Sequence, residues 1–260
     1  MNIEQEIMGQ SRHQFIYGEN GIEREQFLRN LVHRYPITCN QDVPMAIYLE
    51  NFSLPQVESI SHDVDEVNLT IIAREYFNFS CFSNLMDAFQ KQVPMDQLNG
   101  KMNQFLMIVN RFFRNKKFEE IQSIEELDYI LKHVQEMYRE AYIQLLTCGN
   151  VSIPYEKMPI SMLDLNMLMI YFKKMIHNHS YLAVVVDIQE EIPILSMKAI
   201  NGFVTKRIQE NISMKVASEF QSFKTYEDLD GVFAEYLHDY GIIELDSSVR
   251  SYIKQKKLED

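Results

Sequence analysis

The chain has 260 residues, of which 46% are hydrophobic and 12% aromatic, enough for one large core or two small ones. Its formal net charge of −12 argues against a free-standing nucleic-acid-binding protein, which normally carries a basic surface. Three widely spaced cysteines, with no zinc motif and no pairing pattern, indicate reduced thiols rather than a disulfide framework. Because the sequence also lacks a signal peptide and any apolar run of ~20 residues, we expect a cytoplasmic protein.

A strand, a glycine-containing turn and a helix are predicted between His13 and Tyr35. The apolar run Phe15–Tyr17 enters a turn that contains Gly18 and Gly21. The following helix has one apolar face, formed by Phe27, Leu28, Leu31 and Val32. This layout is typical of a phosphate-binding loop (P-loop), in which backbone N–H groups and a helix N-terminus hold phosphates. The alternative is an ordinary strand-turn-helix without that ancestry.

The chemistry of a P-loop is missing from this turn. In the pattern Gly-x-x-x-x-Gly-Lys-Ser/Thr, Gly18 takes the first place and Gly21 an inner one. Glu23, Arg24 and Glu25 replace the second glycine, the lysine and the hydroxyl residue. We expect the two carboxylates to face the phosphate position, where like charges about 4 Å apart repel by roughly 4 kcal/mol at an effective dielectric constant near 20. The stretch therefore predicts a P-loop that has lost its nucleotide.

The middle of the chain is predicted to be helical. A buried strand over 44–50 precedes it, and a capping box that begins at Ser123 starts the clearest helix. The predicted helices cover residues 69–92, 95–115 and 124–146. We interpret residues 60–150 as a helical insertion in an α/β core made of residues 1–59 and 151–260.

The later part of the chain alternates between strands and helices. Strands are predicted at 182–186, 213–218 and 242–246, and helices at 161–176, 194–210 and 232–238. The run Leu182–Val186 has no polar alternation, so we expect it to be buried on both faces. Alternating strands and helices predict a parallel sheet in an α/β layer fold with a large helical insertion. Together with the turn at Gly18, this fold resembles that of the P-loop NTPases.

Two strand sequences resemble those of P-loop ATPases of the AAA+ class. LAVVVDIQEE resembles the Walker B strand, with Asp187 at the magnesium-binding aspartate, although Ile188 replaces the glutamate that activates water in that family. SMKVAS resembles the sensor strand, with Ser218 near its polar tip, and His238–Asp246 resembles the last core strand. Within the class, this half is most similar to the Orc/Cdc6-like and related signal-transduction ATPases. The resemblance implies a degenerate nucleotide site at Gly18, Gly21, Arg24, Asp187 and Ser218.

A basic cluster lies among aromatic residues near the end of the second predicted helix of the insertion. It consists of Arg111, Arg114, Lys116 and Lys117. One interpretation is a patch for nucleic acid or an acidic partner. The other is a helix C-terminus, where cations interact favourably with the helix dipole.

Three functional hypotheses follow. The first is a catalytically inactive ATPase-like scaffold or regulatory subunit without a cofactor. AAA+ proteins assemble side by side, so the resemblance implies another copy or an active ATPase subunit as partner, and by analogy a DNA-associated or defence complex. The second is a divergent NTPase in which Arg24 binds the phosphates of ATP and Asp187 binds Mg²⁺. The third is a DNA-binding accessory factor that uses the cluster at 111–118.

The helical insertion is also rich in aromatic residues. We expect that they exceed what one helical layer can bury and that some anchor a protein interface. They are Tyr76, Phe77, Phe79, Phe82, Phe89, Phe112 and Phe113.

Overall fold

The computed structural model describes residues 3–18, 21–57, 64–94, 100–112, 120–149, 165–188, 192–205, 211–219 and 222–245. Its strands are β1 (His13–Tyr17), β2 (Met45–Tyr48), β3 (Leu182–Ile188), β4 (Ile212–Ser218) and β5 (Tyr240–Glu244). Its helices are α1 (Ile3–Met8), α2 (Gly21–Arg34), α3 (Glu66–Gln92), α4 (Lys101–Phe112), α5 (Ile124–Cys148), α6 (Leu165–Ile176) and α7 (Ile194–Val204). The strands form one parallel sheet in the order β2-β3-β4-β1-β5, which confirms the predicted α/β layer fold with a parallel sheet.

The sheet has an apolar core on each face, because side chains alternate between the two faces of a strand. On one face, residues such as Val184 and Met214 join a large cluster with α3, α5, α6 and α7. On the other face, residues such as Ile16 and Val185 pack with α1 and α2. All seven residues of β3 are buried, as its unbroken apolar sequence predicts. The short helix α1, which the sequence analysis does not predict, contributes Ile7 and Met8 to the second core.

Two helices of the predicted insertion begin at capping residues, of which the sequence analysis names only Ser123; α3 begins at Glu66, before the predicted residue 69. The Asp65 carboxylate accepts hydrogen bonds from the N–H groups of Val67 and Asn68 at the start of α3. At the start of α5, the Ser123 hydroxyl accepts a hydrogen bond from the Glu126 N–H at 3.2 Å. The α5 helix ends at Gly149, whose φ of 75° is in the left-handed region that glycine adopts without strain. The predicted start of this helix is therefore confirmed, and the helix extends two residues beyond the predicted end at residue 146.

The expectation of surplus aromatic residues in the insertion is wrong for the five that the structure describes. Tyr76, Phe77, Phe79, Phe82 and Phe89 are all buried. The reason is that α3 has neighbours on several sides. Its rings lie 5.3 to 5.6 Å from rings of α5, α6 and α7 in the pairs Phe79–Tyr138, Phe89–Phe172 and Phe77–Phe203. The side chains of Phe112 and Phe113 lie outside the described residues.

The helix predicted over 232–238 is also wrong. This segment instead forms two isolated bridges, Glu227–Phe233 and Tyr236–Tyr240, and a turn. Carboxylates of nearby aspartates bind its backbone N–H groups. Asp228 accepts from Val232 at 2.8 Å, and Asp239 accepts from Glu235 at 2.8 Å. Such local hydrogen bonds compete with those of a helix.

Parts of three other predicted helices fall outside the described residues. These parts are 95–99, 113–115, 161–164 and 206–210. No helix in the described part of the chain is long and apolar enough to cross a membrane.

His13, at the start of β1, makes the stability of the fold depend on pH. Its Nδ1 accepts a hydrogen bond from the Met214 N–H at 2.9 Å, which requires an unprotonated nitrogen. Burial, and then the positive charge of Lys215, lower the pKa of His13 from 6.5 to about 4, while Asp239 opposes the shift. Between these pH values the unfolded state binds a proton that the folded state does not, so stability is lost as the pH falls.

We expect the free energy of unfolding to fall by about 2 kcal/mol between pH 7 and pH 5 because of His13. Urea denaturation of wild type and of His13→Gln at both pH values measures this effect. The variant should lose less stability than wild type, whereas His33→Gln, at an exposed position of α2, should behave like wild type. An equal loss in wild type and His13→Gln would contradict the assignment.

Candidate functional site

The candidate site is centred on Arg24, the fourth residue of α2, which is only 2% exposed. Arg24 lies one helical turn before Leu28, so both side chains project from the face of α2 that packs on the sheet. Its guanidinium Nη1 donates to the carbonyl oxygen of Gly18 at 2.6 Å. Nε donates to Asp187 Oδ1 at 2.8 Å, and Nη2 donates to the carbonyl oxygen of Ile188 at 3.1 Å. Arg24 thus links the end of β1 to the end of β3.

Arg24 and Asp187 form a buried ion pair, with side chains 1% and 0% exposed. Burial of two charges costs hydration energy, which only good geometry and additional hydrogen bonds can offset. Here each nitrogen of the guanidinium has an oxygen acceptor, and one of these acceptors is charged. The pair is therefore a satisfied unit whose members depend on each other.

The loop after β1 lies close to the ends of β4 and β5. The Gly18 N–H donates to the carbonyl oxygen of Ser218 at 3.2 Å. A Cβ atom at Gly18 would lie 3.3 Å from Leu245 Cδ1 and 3.4 Å from Leu245 Cβ, which is tight. A glycine therefore suits this position. At Gly21 a Cβ would lie 3.9 Å from Arg24 Nη2, which leaves ordinary room.

Ser218 contributes its backbone to this site, but its hydroxyl lies on the other face of the sheet. Asp187 pairs in register with Ala217, which packs in the core beneath α2. Because side chains alternate along β4, the Ser218 side chain projects to the opposite face. Its Oγ is buried and has no hydrogen-bond partner among the described residues. Of the five predicted site residues, Gly18, Gly21, Arg24 and Asp187 thus lie close together in the structure. Ser218 contacts this group only through its backbone carbonyl oxygen.

The two glutamates expected at the phosphate position are not there, which corrects the sequence analysis. Glu23 is exposed, and Glu25 forms an ion pair with Arg29 at 2.7 Å. Arg29 also pairs with Glu50 at 2.9 Å and lies 4.3 Å from the ring centroid of Tyr48. On the helix surface, residues four apart are neighbours, which favours Glu25–Arg29 over an inward Glu25. The residue that turns inward is Arg24.

The surroundings of Asp187 extend to Tyr48, which follows from the pairing of β2 with β3. Burial raises the pKa of the Tyr48 hydroxyl, and the negative charge of Asp187 raises it further. No motif in the sequence marks Tyr48, Arg29 or Leu245 as neighbours of the site. Their positions are the only sequence signal for them. Tyr48 and Leu245 lie at or just after the carboxyl end of a strand, and Arg29 lies on α2. Parallel sheets bring side chains together at this edge.

A polar groove of about 610 Å³ lies between α3, α5 and the loop after β2. Its lining groups already bond to one another. Gln135 Nε2 donates to the Asn51 carbonyl oxygen at 3.1 Å and to Ser80 Oγ at 2.8 Å. The Tyr76 hydroxyl donates to the same carbonyl at 2.9 Å. These bonds hold the loop after β2 against the two helices.

The basic cluster is only partly within the described residues. Arg111 is exposed in the last turn of α4. Arg114, Lys116 and Lys117 lie outside the described residues, so the patch stays a prediction.

The described residues contain no group of three His, Cys, Asp or Glu side chains that could hold a metal ion. Comparison with protein families finds no family model that matches this chain, and comparison with curated proteins finds no match either.

Proposed function

We propose that this chain is a catalytically inactive, P-loop ATPase-like scaffold in which the Arg24 side chain takes the place of a nucleotide. The observation that carries the proposal is the triple engagement of Arg24 with Gly18, Asp187 and Ile188. Because the Arg24–Asp187 ion pair takes the place of contacts to a nucleotide, the protein acts through contacts with other proteins. Its location in this proposal is the cytoplasm.

The charges of the site support this proposal. In an active P-loop, a cation binds phosphate and an aspartate reaches Mg²⁺ through separate contacts. Here Arg24 and Asp187 bind each other at 2.8 Å in a buried place. To bind a phosphate, Arg24 would have to release Asp187, and the loss of its charged partner costs a buried carboxylate about 3–5 kcal/mol unless Mg²⁺ replaces that partner. The divergent-NTPase alternative requires this opening.

The arrangement of the strands also supports the proposal. β1 and β3 lie on either side of β4, so the loop after β1 and the end of β3 meet at the carboxyl edge of the sheet. Ligands of open α/β sheets bind at that edge. The Arg24 side chain occupies the space between these two ends.

The protein should show no thermal shift with Mg²⁺-ATP or Mg²⁺-GTP. A ligand present at 100 times its dissociation constant stabilises a fold by about 2.7 kcal/mol, which differential scanning fluorimetry detects easily. An active P-loop ATPase measured in parallel shows that the assay responds. A saturable, Mg²⁺-dependent shift of this chain would overturn the scaffold proposal and favour the NTPase alternative, with Arg24 on phosphate and Asp187 on Mg²⁺.

A further inference from the structure

An apolar surface is concentrated beside the edge strand β5. Twelve large hydrophobic side chains are exposed among the described residues, and five of them lie within residues 232–242. We call these five the β5 patch: Val232, Phe233, Tyr236, Leu237 and Ile242, which are 39% to 68% exposed. The other seven are distributed over α2 to α7 and the loop before β2, as isolated exposed side chains normally are. A concentration of this kind marks an interaction surface.

The turn that carries the patch is held in one conformation. The Leu237 N–H donates to the Tyr240 carbonyl oxygen at 2.9 Å, and the Asp239 N–H donates to the Glu235 carbonyl oxygen at 2.8 Å. Leu237 has a φ of 65°, in the left-handed region that a leucine adopts only at a cost. The fold thus maintains a strained backbone at a residue whose apolar side chain is 68% exposed. Strain of this kind is concentrated at functional positions.

The strand next to this turn, β5, lies at the edge of the sheet in the described part of the chain. In the described structure β5 is the last strand of the sheet; it pairs with β1, and its first residue, Tyr240, also forms an isolated bridge with Tyr236. Its sequence, YGIIE, contains no lysine or proline, and its one charged residue, the exposed Glu244, lies at its last position. The opposite edge strand, β2, is different, because three of its four residues are buried and α2 packs against it.

The area of the β5 patch is sufficient for a weak dimer. The exposed parts of its five side chains amount to on the order of 500 Å². Two such patches placed face to face bury about 1,000 Å², near the lower limit for a specific interface. A symmetrical contact of this kind needs only one surface that is complementary to itself.

The charges around the patch indicate which partner fits. Glu227 is paired with Lys198 at 3.0 Å, and Asp230 is paired with Arg74 at 2.7 Å. The chain, whose net charge is −12, thus neutralises these two carboxylates at the rim of the surface internally. A basic partner would be attracted by uncompensated carboxylates, whereas a second acidic copy requires that they be compensated.

We propose that the β5 patch is the interface of a homodimer, and that the second copy of this chain covers Phe233, Tyr236 and Leu237. This inference deepens the proposed scaffold role by naming its partner, although it is based on different residues. If the protein proves to be a monomer, the expected absence of a thermal shift with nucleotide is unaffected. If the protein binds nucleotide, the expected dimer is unaffected. A failure of the dimer proposal can therefore be distinguished from a failure of the scaffold proposal.

Sedimentation velocity over a concentration series tests the dimer. We expect a monomer–dimer equilibrium in the full chain, and we expect Leu237→Asn to raise the dimer dissociation constant by about tenfold or more. Asparagine tolerates the left-handed conformation, so this variant removes the apolar side chain without disturbing the turn. Phe233→Glu should act in the same direction, whereas Tyr129→Glu, at an exposed position on α5, should leave the dimer intact.

Raising the salt concentration to about 0.5 M should maintain or tighten the dimer, because it screens the repulsion between two acidic copies. A strict monomer at every concentration would overturn the proposal. So would a dimer that Leu237→Asn and Phe233→Glu leave unchanged, or one that dissociates as salt rises.

Discussion

Replacement of Arg24 by alanine lowers the free energy of unfolding by about 3–5 kcal/mol, because it leaves the Asp187 carboxylate buried without its charged partner. It also removes the donors to the carbonyl oxygens of Gly18 and Ile188. Urea denaturation monitored by circular dichroism measures this loss. Asp187→Ala should destabilise to a similar extent, because it leaves the guanidinium buried and unpaired.

The double variant Arg24→Leu/Asp187→Leu provides the sharper test. Well-packed apolar residues often replace a buried ion pair with little loss of stability, so the double variant should be more stable than either Arg24→Leu or Asp187→Leu. Arg29→Ala is the matched control on the same helix. Its ion pairs with Glu25 and Glu50 are half exposed and contribute about 1 kcal/mol at most. If Arg24→Ala costs no more than Arg29→Ala, the central role of Arg24 is wrong.

Val185→Asp should prevent accumulation of folded protein. Val185 is fully buried in β3, between β2 and β4 and beneath α2, so an aspartate there would be an unpaired charge in the second core. Such a charge costs several kcal/mol, a large fraction of the stability of a typical domain. The yield of folded protein and its urea midpoint measure the effect.

Val67→Asp is the matched control for this substitution, since Val67 is 71% exposed in the first turn of α3. An acidic residue is favourable at a helix N-terminus, so this variant should be as stable as wild type. Glu23→Ala, on the exposed side of α2, should also be tolerated. A Val185→Asp protein with the urea midpoint of Val67→Asp would show that β3 is not a buried central strand.

In the scaffold proposal, nucleotide binding is lost because Arg24 is paired with Asp187, and not because Glu23 and Glu25 repel phosphate. The sequence suggests that Glu23 and Glu25 repel phosphate, yet neither carboxylate lies in the site. The structure instead places a cation there that already has its anion, Asp187. Under this proposal, removing the glutamates would not create a phosphate site, because the Arg24–Asp187 pair would also have to open.

Much of the fold could be predicted from local sequence. All five strands are detectable as apolar runs, and the capping residues Asp65 and Ser123 mark helix starts because they bind N–H groups within three residues. The segment 232–238 could not be predicted in the same way. Its helical pattern is overridden by the carboxylates of Asp228 and Asp239, and Asp239 belongs to the turn that enters β5.

The sequence by itself determined that this is an α/β protein with a parallel sheet and that β3 is buried on both faces. It also suggested Gly18, Arg24 and Asp187 as candidates for a nucleotide site. These features depend on periodicity and on neighbours along the chain. Only the tertiary structure decided that Arg24 binds Asp187, that the aromatics of α3 are buried, and that the Ser218 hydroxyl projects away from Asp187. The physical reason is that each of these depends on which groups the strand order and the helix packing bring together from distant parts of the chain, 163 residues apart for Arg24 and Asp187. Residue spacing within a local window does not encode such contacts.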